Sequence, residues 1–170
     1  MERLFSPWRS QYIATFSNKK LKDENACVFC DAVNDNHKGI SNRDAHHFIL
    51  SRSTHCFVMM NLYPYNSGHL LVIPYRHIPD FGELSVKEHA DIMKTISAML
   101  SLLKKTIAPQ GFNIGANVGR VAGAGIDQHI HFHIVPRWNG DTNFMPVLAD
   151  VKLVSEEMRS LYKKLKKNLT

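Results

Sequence analysis

The sequence is poor in features that would mark a membrane, secreted or repetitive protein. No apolar run approaches the roughly 20 residues of a membrane-spanning helix, so we do not expect a membrane protein. The opening MERLFSPWRSQYIATF lacks the apolar stretch and small-residue cleavage site of a secretory signal, which favours a cytoplasmic location. Internal repeats and low-complexity tracts are absent too, and 170 residues suit a single globular domain.

Cysteine is scarce: the chain has three, an odd number that argues against a disulfide framework. Cys27 and Cys30 form the Cys-x-x-Cys motif CVFC. In a reducing compartment this motif indicates a metal site or a redox pair, and two unligated thiols are the plain alternative. Cys56 lies within an apolar segment, and we expect it in the core.

Positive charge exceeds negative charge, with a net charge of +6. This excess favours anionic partners such as nucleotides or nucleic acid without choosing between them. Much of it comes from KKLKK at residues 163–167, which we interpret as the solvated face of a helix. Because no recognised DNA-binding module accompanies this run, we do not expect nucleic acid to be the partner.

The apolar pattern predicts an α+β fold with an antiparallel sheet of about five strands, one long helix and a C-terminal helix. HFILSR and HCFVMMN indicate a strand pair, and HLLVIP indicates a third strand that ends at Pro74. A capping box at Ser85 and Glu88 begins a helix predicted over about residues 84–107. FNIGANVG and the histidine-rich segment supply two more strands, and a closing helix follows from about Ser155.

The most informative segment is DQHIHFHIVPRW, residues 127–138, where histidine recurs at every second position. Side chains alternate between the faces of a strand, so His129, His131 and His133 share one face. The other face, with Ile130, Phe132 and Ile134, is predicted to enter the core. Mutual repulsion should keep at least one imidazole neutral, and a neutral imidazole is a good nucleophile or metal ligand.

Two chemical interpretations of these histidines remain open. In the first, His131 attacks phosphorus to form a phosphoramidate, and its neighbours fix its tautomer and handle protons. In the second, all three histidines bind a catalytic zinc that activates water. A chance cluster on a sheet face is the third and plainest interpretation.

A glycine-rich loop, ANVGRVAGAG, runs directly into the histidine segment. Its residues Asn117, Gly119, Gly123 and Gly125 tolerate unusual backbone angles, and its backbone N–H groups could face phosphate oxygens. Such a loop alone is equally typical of a surface turn. Beside three histidines, it favours a phosphate cradle next to a nucleophile.

The segment HIHFHIVP resembles the His-x-His-x-His signature of the histidine triad (HIT) superfamily of nucleotide hydrolases and transferases. FVMMNLYPYNSGHLLVIPYRH is similar to the family's earlier strand pair, and NIGANVG to the strand before the triad. FSPWRSQYI and VPRWNGDTNF resemble the bacterial branch that includes diadenosine tetraphosphate phosphorylases. The resemblance implies a homodimer in which two sheets join across the interface.

The resemblance also implies roles for individual residues. His131 would attack the α-phosphorus and form a nucleotidyl-histidine intermediate, with His129 and His133 beside it. His69 matches a fourth histidine next to the triad. Asn61 matches a residue that contacts the nucleoside, and Asn117 matches one near the phosphates.

Zinc-bearing relatives in this branch join a Cys-x-x-Cys pair to two histidines. By position, the resemblance implies that the ligands here would be Cys27, Cys30, His77 and His129. Four nitrogen and sulfur ligands suit a closed, structural zinc site. Such a site would hold the end of the catalytic strand and thereby help to orient the nucleophile.

The sequence departs from several branches of the family at Ile126, where those branches carry serine or threonine. Backbone amides or Gln128 could replace the lost hydroxyl contact to the phosphate. The third triad position is His133, not the glutamine of the hexose-1-phosphate transferase branch, which disfavours sugar transfer.

Together these features predict an enzyme that cleaves dinucleoside polyphosphates at the α-phosphate, with diadenosine tetraphosphate phosphorylase favoured. Hydrolysis, phosphoramidate substrates and a non-catalytic nucleotide-binding role remain alternatives, and inorganic phosphate is a possible second substrate. We expect one domain over residues 1–170. It comprises an N-terminal arm with the Cys-x-x-Cys segment (1–46), a catalytic core (47–138) and a C-terminal extension (139–170).

Overall fold

A computed structural model describes residues 27–34, 43–141 and 156–169. Its helices are α1 (Val28–Asn34), α2 (Arg43–His46), α3 (Val86–Ile107) and α4 (Met158–Asn168). Its strands are β1 (Ile49–Arg52), β2 (Cys56–Met60), β3 (Leu70–Pro74), β4 (Gly111–Ala116) and β5 (Phe132–Arg137). The motif FSPWRSQYI and the end of VPRWNGDTNF lie outside the described residues, and the division of the chain into three segments stays a prediction.

The five strands form one antiparallel sheet in the order β1-β2-β3-β5-β4, which confirms the predicted α+β class. Because side chains alternate along each strand, the sheet has two apolar faces. One face, with residues such as Val58, Val72 and Ile134, packs against α3 and α4. The opposite face, which includes Phe57 and Ile73, packs against α1. The sheet is therefore covered on both sides.

Helix α3 follows the predicted pattern closely. The Ser85 side chain accepts from the backbone of Glu88 while the Glu88 side chain accepts from the backbone of Ser85, so the capping box is confirmed. The helix begins at Val86 instead of residue 84, because Ser85 has extended backbone angles. It ends where Ala108 adopts the left-handed conformation just before Pro109.

The carboxylate of Glu88 also anchors the segment that follows β3. Arg76 donates to it from Nε at 2.7 Å and from Nη2 at 2.8 Å. Arg76 also donates to the backbone oxygen of Glu83 at 2.7 Å. Because His77 is the next residue, this ion pair fixes the backbone beside a predicted metal ligand.

Helix α4 packs beside α3 on the same face of the sheet. Leu161, Tyr162 and Leu165 are buried, and the Tyr162 hydroxyl donates to the backbone oxygen of Ile49 at 3.0 Å. Lys163, Lys164 and Lys167 are exposed, as the interpretation of KKLKK predicted. Among the described helices, none has the length and apolar character needed to cross a membrane.

Candidate active site

The histidine segment leads into β5, which lies between β3 and the edge strand β4. Strand β5 begins only at Phe132, so His129 and His131 lie in the segment just before the strand, not within it as expected. The predicted alternation holds nevertheless, since Ile130, Phe132 and Ile134 are buried in the core under α3.

His129 and His131 are buried and His133 is half-buried, whereas the sequence predicted a row of imidazoles on an open surface. His129 is 1% exposed and His131 is 6% exposed, because α1 packs over this face. Burial lowers the pKa of His129 to about 4 and also lowers the pKa of His131. Desolvation is therefore the main reason that these imidazoles stay neutral, and mutual repulsion is secondary.

A backbone carbonyl fixes the tautomer of His131. Its Nδ1 lies 2.9 Å from the backbone oxygen of His129, and a carbonyl oxygen only accepts hydrogen bonds. Nδ1 must therefore carry the proton. In a neutral imidazole the other nitrogen then has a lone pair, so Nε2 of His131 is the nucleophilic atom.

A second chain of hydrogen bonds fixes the tautomers of His69 and His133. The backbone N–H of Tyr65 donates to Nδ1 of His69 at 3.1 Å, so Nδ1 has the lone pair and Nε2 has the proton. Nε2 of His69 then donates to Nδ1 of His133 at 2.9 Å. His133 consequently carries its own proton on Nε2, on the side of the ring away from His69.

The residue before His69 has to be glycine for this arrangement. Gly68 has φ +75°, a conformation that side chains rarely adopt. A Cβ atom there would lie 2.6 Å from Cδ1 of Ile107 and 3.2 Å from Cδ2 of Leu103. The close approach of this turn to α3 places His69 beside β5 and in contact with His133.

Asn61 joins the same network, because its Nδ2 lies 3.2 Å from Nδ1 of His69. Its Oδ1 accepts from the backbone N–H of Tyr63 at 3.0 Å, which shapes the turn between β2 and β3. The structure thus brings Asn61, His69 and His133 together. The side-chain amide of Asn61 is half-buried beside them.

The glycine-rich loop between β4 and the triad adopts the unusual backbone angles at two of its four predicted positions. Gly119 has φ +80° and Gly123 has φ +90°, whereas Asn117 and Gly125 do not have positive φ. Asn117 donates to the backbone oxygen of Gly123 at 3.3 Å and so braces the loop. Gly125 is exposed, as is Gln128.

The four predicted metal ligands come together. One side-chain ligand atom from each of Cys27, Cys30, His77 and His129 lies within 4.8 Å of all the others. Sγ of Cys27 is 3.3 Å from Nδ1 of His129, and Sγ of Cys30 is 3.4 Å from Nδ1 of His77. Ligand atoms about 3.4 to 3.8 Å apart are expected for tetrahedral zinc with its usual bond lengths. The residues therefore fit a zinc ion.

His129 has the tautomer that a metal ligand needs. Its Nε2 donates to the backbone oxygen of Pro74 at 2.9 Å, which leaves the lone pair on Nδ1, the atom that faces the cysteines. Burial and the neighbouring Cys27 raise the pKa of the Cys30 thiol to about 11. Metal binding would require that thiol to lose its proton.

The contacts do not favour the interpretation in which the whole triad binds one metal. His129 turns Nδ1 towards the cysteines, whereas His131 uses Nδ1 to bind a carbonyl and His133 uses Nδ1 to bind His69. The three imidazoles thus have three different partners. This arrangement separates a possible metal site from a possible nucleophile.

Sequence reasoning did not find several residues that shape the site. Tyr65 stacks its ring on His133, with centroids 5.9 Å apart, and its backbone sets the tautomer of His69. Phe29 packs on His131 with centroids 5.0 Å apart. The sequence offered no signal for Tyr65, and the only signal for Phe29 was its place inside CVFC.

The sheet and the clustered histidines define an α+β protein with a histidine triad site. A sequence model of the HIT domain matches residues 42–140, and the chain therefore belongs to the HIT family. AP-4-A phosphorylase of Mycobacterium tuberculosis is 32% identical over 94% of this chain and 80% of its own length. Adenosine 5'-monophosphoramidase of Schizosaccharomyces pombe is 30% identical over 80% of this chain and 92% of its own length.

The fold has a close counterpart among solved structures. A Zn-bound histidine triad family protein from Mycobacterium smegmatis superposes with a TM-score of 0.66 at 23% identity. The match covers 85% of this chain and 93% of the mycobacterial chain. At this identity, the comparison supports the fold.

Proposed function

We propose that this protein cleaves dinucleoside polyphosphates at the α-phosphorus by double displacement through His131. In the first displacement, Nε2 of His131 forms a bond to the α-phosphorus and the distal nucleotide leaves. In the second, inorganic phosphate attacks the nucleotidyl-histidine and regenerates the free imidazole. With diadenosine tetraphosphate, the products would be ATP and ADP.

The observation that carries this proposal is the hydrogen bond from Nδ1 of His131 to the backbone oxygen of His129, 2.9 Å long. It directs the lone pair to Nε2 in the ground state. When Nε2 bonds to phosphorus, positive charge develops on the ring, and the same carbonyl stabilises it. The loss of that charge in the second step returns the starting tautomer.

His133 is the candidate hydrogen-bond donor to the leaving nucleotide. Its contact with His69 leaves the proton on Nε2, and the chain from Tyr65 through His69 holds this tautomer without any charged group. A neutral imidazole keeps this proton, so the N–H stabilises the negative charge on the departing phosphate by a hydrogen bond. In this scheme the same N–H donates a hydrogen bond to the phosphate, or water, that enters as the second nucleophile.

We assign phosphorolysis in preference to hydrolysis because of the relatives. AP-4-A phosphorylase is matched over almost the whole chain, including the segment beyond the HIT domain. The similarity to adenosine 5'-monophosphoramidase makes hydrolysis of a phosphoramidate the second candidate. Both reactions use a nucleophile at the α-phosphorus and differ in the leaving group and the acceptor.

For the binding of substrate, we propose Asn61 as a contact to the nucleoside. The turns at Gly119 and Gly123, both with positive φ, would direct backbone N–H groups of the loop towards the phosphates. Asn117, Gly125 and Gln128 belong to the same binding region in this proposal. The net charge of +6 favours a polyphosphate ligand.

We further propose that Cys27, Cys30, His77 and His129 hold a structural zinc. Two thiolates and two imidazoles leave no open position on a tetrahedral ion, so the metal would organise the site and bind no substrate. His129 would link the two functions, because its side chain is a ligand and its backbone oxygen accepts from His131.

The test is turnover of diadenosine tetraphosphate by the purified protein with and without inorganic phosphate. We expect ATP and ADP that depend on phosphate, and no products from His131→Ala. His46→Ala is the matched control, because His46 is exposed on α2. Formation of AMP without inorganic phosphate would show that the reaction is hydrolysis and not phosphorolysis. Full activity of His131→Ala would refute the proposed nucleophile.

A further inference from the structure

Phe29 is the side chain that covers the triad from the side of α1. It is 3% exposed, and its ring centroid lies 5.0 Å from that of His131 and 5.5 Å from that of His129. The contact with His129 is edge-to-face, and the contact with His131 is tilted by 57°. One phenyl ring therefore touches both the proposed nucleophile and a proposed metal ligand.

The position of Phe29 is set by the two cysteines on either side of it. Sγ of Cys27 lies 3.3 Å from Nδ1 of His129, and Sγ of Cys30 lies 3.7 Å from the same atom. The backbone N–H of Asp31 donates to the oxygen of Cys27 at 2.8 Å and closes the first turn of α1. The cysteines thus attach this turn to the histidine segment, and Phe29 projects from its middle.

The imidazole of His131 needs such a neighbour. The hydrogen bond from Nδ1 to the oxygen of His129 fixes the tautomer, but a single bond of this kind does not by itself fix the plane of the ring. A flat ring packed against the imidazole restricts the tilting of that plane and keeps water away from the imidazole. Small errors in the direction of a nucleophile are costly for the rate.

We propose that Phe29 is a positioning residue for His131, and that the metal site acts on catalysis by holding the ring of Phe29 against that imidazole. This inference rests on the proposed function, since it assumes that His131 is the nucleophile. It assigns a task to the third residue of CVFC that metal binding alone does not require. Loss of metal would free the turn and withdraw the ring.

Three variants of the full chain test this role. Phe29→Leu removes the flat ring, and Phe29→Met retains more of its length in a flexible side chain. Phe57→Leu is the matched control, because Phe57 is 1% exposed in the same apolar cluster and stacks on Tyr75. Each protein is loaded with zinc, and its zinc content, its thermal unfolding and its kcat and KM are measured.

A second readout is independent of turnover. In zinc-loaded wild type, the Nδ1 proton of His131 should give a slowly exchanging NMR signal, because it is buried and bonded to the oxygen of His129. We expect this signal to weaken or vanish in both Phe29 variants and on removal of zinc from wild type. It should persist in Phe57→Leu.

The expected kinetic result is a loss of kcat by roughly ten- to a hundredfold in both Phe29 variants, with KM and zinc content unchanged. Removal of zinc should lower kcat of wild type and cause little further loss in Phe29→Leu. Phe57→Leu should retain the wild-type kcat.

Four results would overturn the inference. Unchanged kcat in both Phe29 variants would show that the ring does not position His131, and a raised KM with unchanged kcat would make Phe29 a substrate contact. Loss of zinc from the variants would show that loss of the metal alone explains the fall in kcat. An equal loss of kcat in Phe57→Leu would reduce the effect to general destabilisation. If His131→Ala retains turnover, the proposed function itself fails, whichever way Phe29 behaves.

Discussion

For a single side chain, the clearest consequence of the structure concerns the protonation of His131. Burial lowers its pKa below the usual 6.5, so the ring stays neutral at pH values where an exposed histidine is already charged. A nucleophile must be neutral. On the acid side of the profile, we therefore expect kcat/KM of the wild type to decline with an apparent pKa below 6.5. The measurement is a pH–rate profile on diadenosine tetraphosphate. An apparent pKa at or above 6.5 would contradict the burial of His131.

The sequence alone predicted the three triad histidines, but it did not predict the residues that support them. A strict spacing of two marks a shared face, so the triad is visible in the primary structure. The tautomers depend on backbone groups of residues 65, 74 and 129, whose side chains are irrelevant to the contact. Such contacts leave no trace in residue types.

Among elements, the turn after β5 is joined to the turn that carries His69. Asp141 accepts from Nδ2 of Asn66 at 2.7 Å, from Nε of Arg137 at 2.6 Å and from the backbone of Trp138 at 3.1 Å. Asn66 also donates to the backbone oxygen of Pro136 at 3.0 Å. Part of the motif VPRWNGD thus acts as a clamp between two turns.

We predict that Asp141→Ala lowers the free energy of unfolding by about 2 kcal/mol, because it leaves several donors without their acceptor. The half-exposed Arg137 limits the loss, since its charge is partly hydrated. Asp44→Ala is the comparison: Asp44 also accepts two bonds from one arginine, but Asp44 and Arg52 are both substantially exposed. That variant should lose at most about 1 kcal/mol in urea denaturation. Equal losses would argue against the clamp.

The capping box of α3 gives a prediction for pH. The hydrogen bonds from Arg76 are the main reason that the pKa of Glu88 falls from 4.5 to about 2. Because the folded-state pKa is depressed, the carboxylate contributes stability above about pH 4.5 and loses that contribution as the pH falls towards 2. Glu88→Gln should therefore be less stable than wild type near neutral pH. Denaturation from about pH 7 to about pH 3 should show the difference shrink, and a constant difference would contradict this assignment.

Elements differed in how far the sequence determined them. Helix α3 was predictable because its cap and its apolar spacing agree, and only its first residues were misplaced. The start of β5 was not predictable. In the segment before β5, the backbone N–H of Ile130 donates to the backbone oxygen of Ile78, which lies outside the sheet. The burial of the triad also escaped prediction, since no pattern in residues 27–34 said which face α1 would cover.

At the scale of the whole molecule, the sheet ends at a strand that another chain could extend. Among the described strands, β4 pairs with β5 alone, which leaves its other edge with unpaired backbone groups. Ile114 in this strand is 48% exposed, and Val118 just beyond it is 46% exposed. Apolar side chains along an open edge favour the addition of a strand. We therefore propose a homodimer in which two β4 strands pair.

A substitution at Ile114 tests the proposed dimer. Ile114→Lys should convert the protein to a monomer at micromolar concentration, because a charged lysine on an edge strand opposes edge-to-edge pairing. Val86→Lys, at an 84% exposed position at the start of α3, should leave the dimer intact. Sedimentation equilibrium of the three proteins decides between the two states. A monomeric wild type, or a dimer that persists in Ile114→Lys, would remove β4 as the interface. Because the glycine-rich loop continues directly from β4, monomeric Ile114→Lys should also bind nucleotide less tightly than the control does.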